Sequence, residues 1–305
     1  MNILMLHDIR DFDESFFPER YRLPYFLVPK QFYNIINNLL AQKSKLLSFS
    51  DELITSVDNI SNEITLLTFD DGLKDHLSIA RNLASKNIKA CFFIPSGPVF
   101  EHTIIDSHKI QFILASVSSQ EIINFINNSF QYSFNKSYES LNEYYTSRWP
   151  NNIWSKEMIF VTRVLREYPD KIWKRQLIKD LFYKYVSIDS KAFSRDFYLS
   201  QEDVLEIQSL GHIIGGHGHY SYDLRFEDFD TIESEIFKMN EFLSNLNQDV
   251  KYYAYANGGY NEYVINKLTE FNFDLAFTTG HRSVQKSDIP LEIPRIDATK
   301  TNLII

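Results

Sequence analysis

The chain has a single cysteine in 305 residues, Cys91. No internal disulfide can form, so the disulfide framework of oxidising compartments is excluded. Set in the apolar run "KACFFIP", Cys91 reads as a small buried hydrophobe rather than a reactive thiol. Positive charge is also in deficit: 31 Lys and Arg against 40 Asp and Glu give a formal net charge of −9. That balance argues against a nucleic-acid or anionic-membrane surface. No window reaches the roughly 20 apolar residues that a membrane span needs. The start, "MNILMLHDIR", lacks a basic segment and a cleavage site, and it reads as a first strand rather than a signal peptide. A soluble, cytoplasmic protein is expected. No Pro/Gly/Ser-rich linker, internal repeat or low-complexity tract divides the chain.

Hydrophobic residues make up 44% of the chain and aromatic residues 15%, which suits a folded globular protein. Residues 2–6 read as a buried strand leading into a polar loop over 8–24. Helical spacing follows at Phe32, Ile35, Ile36, Leu39 and Leu40. A strand at 64–69, a helix at 75–86 with Leu77, Ala80, Leu83 and Ala84 on one face, and a strand in "KACFFIP" make a βαβ unit. The alternation resumes at "EDVLEIQSLGHIIGGH", a helix and then a short strand. It continues through 229–246 (helix), 251–256 (strand), 261–271 (helix), 273–278 (strand) and 293–297. About seven βα repeats predict a barrel-like α/β fold, with chemistry gathered at the C-terminal strand ends. Between about 101 and 199 the pattern changes to successive amphipathic helices separated by Tyr- and Asn-rich loops. The expectation is one domain over 1–305 with a helical insertion at about 101–199.

Three stretches could carry chemistry. In "LLTFDDGLKD" (66–75) an apolar run ends in adjacent carboxylates, Asp70 and Asp71, which repel one another and resist losing water. Asp71 could cap the following helix, with Gly72 making the turn. Alternatively, one carboxylate holds a metal cation that relieves the repulsion while the other acts as a base. In "GHIIGGHGHYSYDL" (211–224), His212, His217 and His219 fall within eight residues, three of the eight histidines in the chain. His212, at the helix-to-strand turn, reads as structural. In "YYAYANGGYNEY" (252–263), the turn at Asn257 can expose a backbone N–H suited to a developing oxyanion.

These stretches resemble the polysaccharide deacetylases. "TFDDG" at 68–72, "FFIPSG" at 92–97, the histidine stretch at 211–224, "YAYANGGYNE" at 253–262 and "IPRID" at 293–297 occur in that family's order. "ILMLHDI" and "LVPKQFYNIINNLL" are similar to the branch with a Leu-Met-Tyr-His-like first strand. The resemblance covers residues 1–100 and 199–297. It implies a distorted, incomplete (β/α) barrel and a metal-dependent N-deacetylase using one divalent ion, zinc or a similar metal. By position, Asp70 matches the family's catalytic base, Asp71 its metal-binding aspartate and His217 its first metal histidine. The second metal histidine belongs four residues later, where this chain has Ser221. Ala256 and Asn257 replace a proline and an aromatic residue, and no Leu-x-His source of the general acid follows residue 297. His219 is the expected replacement ligand, ahead of His7, His108 and His281. His7 is the expected general acid, followed by His281, and Asn257 supplies the oxyanion N–H.

The implied activity is hydrolysis of an N-acyl group, acetyl or formyl, from an amino sugar. The expected substrate is a cytoplasmic, nucleotide- or lipid-linked precursor in surface polysaccharide assembly. Basic residues of the insertion, Arg163, Arg166 and Lys174 with "KRQLIKD", are candidates for meeting a diphosphate, although solvated helix faces account for them as well. An inactive carbohydrate-binding module and a hydrolase of non-sugar amides are the alternatives.

Overall fold

The computed structural model describes residues 1–11, 26–41, 45–46, 64–135, 139, 141–142 and 155–301. Most of the expected polar loop at 8–24, and most of the Tyr- and Asn-rich connection around 136–154, lie outside these residues. The chain divides into two compact units. One comprises Met1–Phe17, Arg22–Thr103 and Ser194–Ile305; the other comprises Pro18–Tyr21 and Ile104–Phe193.

The first unit is built on parallel strands: β1 (Asn2–Leu6), β2 (Lys45–Leu46), β3 (Ile64–Phe69), β4 (Cys91–Ile94), β5 (Ile213–Gly216), β6 (Tyr252–Ala254), β7 (Leu275–Phe277) and β8 (Ile296–Asp297). Their order is β7-β6-β5-β4-β3-β1-β8, with β2 on β3. Each pairing is parallel. The strands curl into an incomplete (β/α) barrel, as the resemblance implied. Helices α1 (Pro29–Ala41), α2 (His76–Ser85), α3 (Ser96–Glu101), α9 (Gln201–Ser209), α10 (Phe229–Ser244) and α11 (Glu262–Glu270) belong to this unit. Between α3 and α9, in chain order, come α4 (Asp106–Ser116), α5 (Ser119–Phe134), α6 (Lys156–Glu167), α7 (Lys171–Tyr185) and α8 (Ser190–Phe197).

Strand alternation separates two apolar layers. Ile3, Leu66, Cys91, Phe93, Tyr252, Ala254, Leu275 and Phe277 point into the barrel. Leu4, Leu6, Leu67, Phe69, Phe92, Ile94 and Tyr253 pack with the helices on the other face. Cys91 is buried and free, the small-hydrophobe role expected of it.

Local chemistry sets the helix ends. Pro29 opens α1, where a missing N–H costs nothing, and the Gln31 side chain accepts from Val28 N–H at 3.0 Å. A capping box joins Ser200 and Asp203 at the start of α9. Two helix faces differ from expectation. Leu40 of α1 is half exposed. The buried face of α2 is His76, Ile79, Ala80 and Leu83, rotated so that a histidine takes the place given to Leu77. That rotation follows from Phe69 and Phe92, which pack their rings against His76 at 5.6 and 6.0 Å.

His212 is structural, as expected. Its Nδ1 accepts from Ala90 N–H at 3.1 Å and its Nε2 donates to the Ala80 carbonyl at 2.9 Å, tying α2 and the start of β4 to the entry of β5. Replacing His212 with Leu leaves a buried donor and a buried acceptor unsatisfied. A loss of roughly 2–4 kcal/mol in unfolding free energy is expected, read from urea denaturation. A loss under about 0.5 kcal/mol would contradict the stapling role.

Candidate active site

Parallel register brings the sequence motifs to one end of the barrel. Leu6 pairs with Phe69, so His7 and Asp70 leave β1 and β3 at the same level, and Asp70 N–H donates to the Leu6 carbonyl at 2.9 Å. Ile94 pairs with Gly216, and Gly216 with Tyr253, which sets His217 beside the end of β6. Asp71 and Gly72 then turn the chain with φ values of 75° and 61°. Positive φ is costly for aspartate, and strain of this kind concentrates at functional sites.

Asp70 is buried against Arg295. Arg295 Nη1 and Nη2 donate to its two carboxylate oxygens at 2.6 and 2.7 Å. Arg295 is fully buried; it also donates from Nε to the Thr278 carbonyl and from Nη1 to Thr68 Oγ1, at 3.2 Å each. Its guanidinium lies 5.3 Å from the Phe93 ring centroid. Burial pushes the Asp70 carboxyl up, but Arg295, His217 and His7 together hold it below the ordinary carboxylate range. Asp70 is therefore ionised throughout the neutral range. His7 Nε2 lies 3.8 Å from Asp70 Oδ2. Burial lowers the His7 pKa, against the opposing pull of Asp70 and Asp71, so this imidazole rests neutral.

Beside this pair, His217 Nε2 lies 3.4 Å from Asp71 Oδ1, while His217 Nδ1 donates to the Ala254 carbonyl at 2.9 Å. A neutral imidazole with its proton on Nδ1 turns the lone pair of Nε2 toward the Asp71 carboxylate. Two acceptors at that distance call for positive charge between them. Burial lowers the His217 pKa, but the bond to Asp71 and the charges of Asp70 and Asp71 raise it further, above its ordinary value. A divalent cation satisfies the same demand. The backbone-anchored Nδ1 is the usual arrangement behind a metal-bound histidine, so Asp71 and His217 fit a metal from two sides.

The expected third ligand does not join them. His219 Nδ1 hydrogen-bonds Ser96 Oγ at 2.8 Å, and its Nε2 bonds Glu101 at 3.0 Å. Both nitrogens are committed to α3, so His219 is a clamp in this arrangement. No cluster of three His, Cys, Asp or Glu residues fit for a metal occurs among the described residues. The clamp is tight in the backbone too: Ser96 N–H donates to Gly218 O, and Gly97 N–H donates to His219 O at 2.8 Å. A Cβ on Gly97 would stand 2.7 Å from that oxygen, which explains the glycine. From α10, buried Glu235 accepts Tyr220 N–H on both carboxylate oxygens at 3.0 Å. Ser221 occupies the expected second-histidine position at φ 59°.

Asn257 sits exposed in the turn after β6 at φ 53°. The neighbouring Gly258 and Gly259 N–H groups are spent on Tyr255 O and Ala256 O. His281 lies exposed after β7, and His108 is buried on α4 in the helical unit. Of the basic residues suggested for a diphosphate, Arg163 pairs with Glu167 at 3.0 Å and Lys174 donates to the Arg166 carbonyl at 2.9 Å.

Sequence reasoning quoted "IPRID" without giving Arg295 a role. An arginine among apolar residues at a strand entry needs a buried carboxylate partner, and that signal was available. It also missed His76. His76 Nε2 donates to the His7 carbonyl at 2.6 Å, pinning the backbone that carries His7, and burial lowers the His76 pKa to about 4.

Residues 173–276 match the family model for polysaccharide deacetylase. That span contains His217, His219 and Asn257 but not Asp70, Asp71 or Arg295. No curated protein matches. Among solved structures, the Streptococcus pyogenes deacetylase PplD in complex with acetate is 15% identical, with a TM-score of 0.58 over 97% of this chain and 91% of that one. A de-N-acetylase from Aggregatibacter actinomycetemcomitans is 11% identical, with a TM-score of 0.55 over 98% and 96%. IcaB from Ammonifex degensii is 14% identical, with a TM-score of 0.51 over 97% and 91%. At these identities the structural likeness is one of fold. With the family-model match, it bears out the resemblance to the polysaccharide deacetylases.

Two outcomes test the site's energetics. Arg295→Met strands an ionised, buried Asp70 and should cost roughly 3–5 kcal/mol, with much of the loss recovered in the Asp70→Asn/Arg295→Met double variant. Additive losses in urea titrations would contradict the pairing. For His76, the unfolded state takes up a proton below pH 6.5 that the native state refuses until about 4. Stability should therefore fall with decreasing pH across that window, at up to about 1.4 kcal/mol per pH unit from this residue. His76→Phe should flatten the slope there and leave it unchanged above pH 7.

Proposed function

We propose that this chain, a hydrolase of the polysaccharide deacetylase family acting on carbon–nitrogen bonds other than peptide bonds, removes the N-acetyl group from an amino sugar of a surface polysaccharide or its precursor. The observation that supports this reading best is the pair of pairs at one barrel end: Asp70 held by Arg295 beside His7, and Asp71 against His217.

Asp71 and His217 would hold a divalent metal, zinc or a similar ion, and such an ion when bound supplies polarisation of an amide carbonyl and a more acidic water. Asp70 is the proton acceptor. Arg295 keeps it ionised and fixes both its oxygens, at some cost in basicity, so that the acceptor is present whenever water attacks the carbonyl carbon. The proton passes to His7, neutral at rest and 3.8 Å away. His7 delivers it to the amine nitrogen as the C–N bond breaks, releasing acetate and the free amino sugar. The backbone N–H of Asn257, in the turn after the neighbouring strand, would share the developing oxyanion.

Acetate release from N-acetylglucosamine oligomers and from a nucleotide-linked N-acetyl sugar, measured side by side, separates polymer from precursor. Asp70→Asn should lower kcat by about 10³-fold and His7→Phe by about 10²-fold, with little change in KM. Metal content should approach one ion per chain and be lost in Asp71→Ala. Protein that takes up no metal and releases no acetate from either substrate would overturn the proposal, in favour of a carbohydrate-binding module. Activity confined to non-sugar amides would overturn the substrate class.

A further inference from the structure

The negative charge of the chain is not evenly spread. Residues 104–193 hold 12 Lys and Arg against 9 Asp and Glu, a net of +3, which leaves −12 on the remainder to give the formal total of −9. The positive charge concentrates on α7. Over Lys171–Tyr185 this helix carries Lys171, Lys174, Arg175, Lys179 and Lys184 against Asp180 alone.

The buried stripe of α7 is Trp173, Leu177, Ile178, Leu181 and Phe182. The opposite stripe, at spacings of four, three and four residues, is Ile172, Gln176, Lys179 and Tyr183, one continuous helix face. Ile172 is 86% exposed and Tyr183 62%. Just past the helix end, Ile188 is 76% exposed. Lys184 Nζ lies 5.1 and 4.9 Å from the Phe125 and Tyr185 ring centroids, so its charge sits among aromatic rings at this end of the helix.

Single exposed apolar residues need no explanation. Ile172 and Tyr183 at this exposure, on one stripe with Lys179, and Ile188 just past the helix end, on a helix with five cations, match the pattern of an interfacial segment: apolar groups that enter the headgroup boundary, with cations nearby that meet anionic headgroups. A soluble polyanion would be met by the lysines and arginine alone and gives no account of the isoleucines.

We propose that the exposed face of α7, with Ile188, docks on an anionic lipid surface. This inference does not depend on the deacetylase reading, since binding and catalysis are measured separately.

The test is co-sedimentation of the full chain with phosphatidylcholine vesicles containing or lacking phosphatidylglycerol. Binding should be at least about tenfold stronger to the anionic vesicles at low salt and should weaken as salt rises. Lys179→Gln and Lys184→Gln should each weaken it about fivefold. The Ile172→Asp/Ile188→Asp double variant should weaken it by about tenfold or more. Ile172, Lys179 and Ile188 are exposed, so melting temperature and acetate release from soluble substrates should not change in the variants at these three positions. Absence of binding to anionic vesicles would overturn the proposal, as would equal binding to both compositions or undiminished binding of the isoleucine double variant. Retention on heparin without vesicle binding would overturn it in favour of a polyanion site.

Discussion

The buried ion pair between Asp70 and Arg295 is the constraint around which the barrel interior is arranged. An arginine with no solvent exposure must find charge compensation and use its donors inside the protein. It does both with one carboxylate, one hydroxyl and one main-chain carbonyl drawn from β3 and the strand-end segment at Thr278. Such a pair is a poor source of net stability, because desolvation of both charges offsets their attraction. What it supplies is definition. Two parallel N–H···O bonds leave the carboxylate no rotational freedom, and the neighbouring positive charge keeps it ionised.

The same constraint shapes the rest of the site. With Asp70 committed to negative charge, His7 and His217 are pulled toward protonation by the carboxylates and away from it by burial and by Arg295. The two imidazoles resolve that contest in opposite directions. His7, where burial dominates, rests below its ordinary pKa; His217, bonded to Asp71, rests above it. Two histidines, each immediately following a parallel strand, thus acquire different proton affinities from their surroundings alone.

Much of this was legible in the sequence, for reasons that can be named. Strands β3 and β4 are continuous apolar runs bounded by turn residues, and α9 to α11 have clean helical spacing, so the alternating βα order could be read directly. Asp70 and Asp71 stood out because adjacent carboxylates at a strand end are physically expensive. The ligand set was less legible. His219 follows His217 by two residues, and spacing along a loop does not fix direction; only the backbone clamp onto α3, with Ser96 and Glu101 waiting there, turns its ring away. Arg295 and His76 were hidden because their partners lie 225 and 69 residues away, distances over which local pattern carries no information. The face of α2 was misjudged because aromatic packing on β3 and β4 rewards a ring at position 76 over a leucine at 77.

One property of the site's supporting shell sets how the site responds to change. His217 is oriented by the Ala254 carbonyl, the His7 backbone by His76, Arg295 by the Thr278 carbonyl, and Thr68 donates to the Leu4 carbonyl. In each case the acceptor is main chain. Substitution at positions 254, 7, 278 or 4 leaves those oxygens in place as long as the strands stay paired. The His217 tautomer is therefore inherited from strand order and register, and so is one of the anchors of Arg295, whose other anchors are the side chains of Asp70 and Thr68. Sequence around the site can drift far while its aim holds, but a slip of one residue between β5 and β6 would move the oxygen that orients His217 and undo the centre without altering a single functional group.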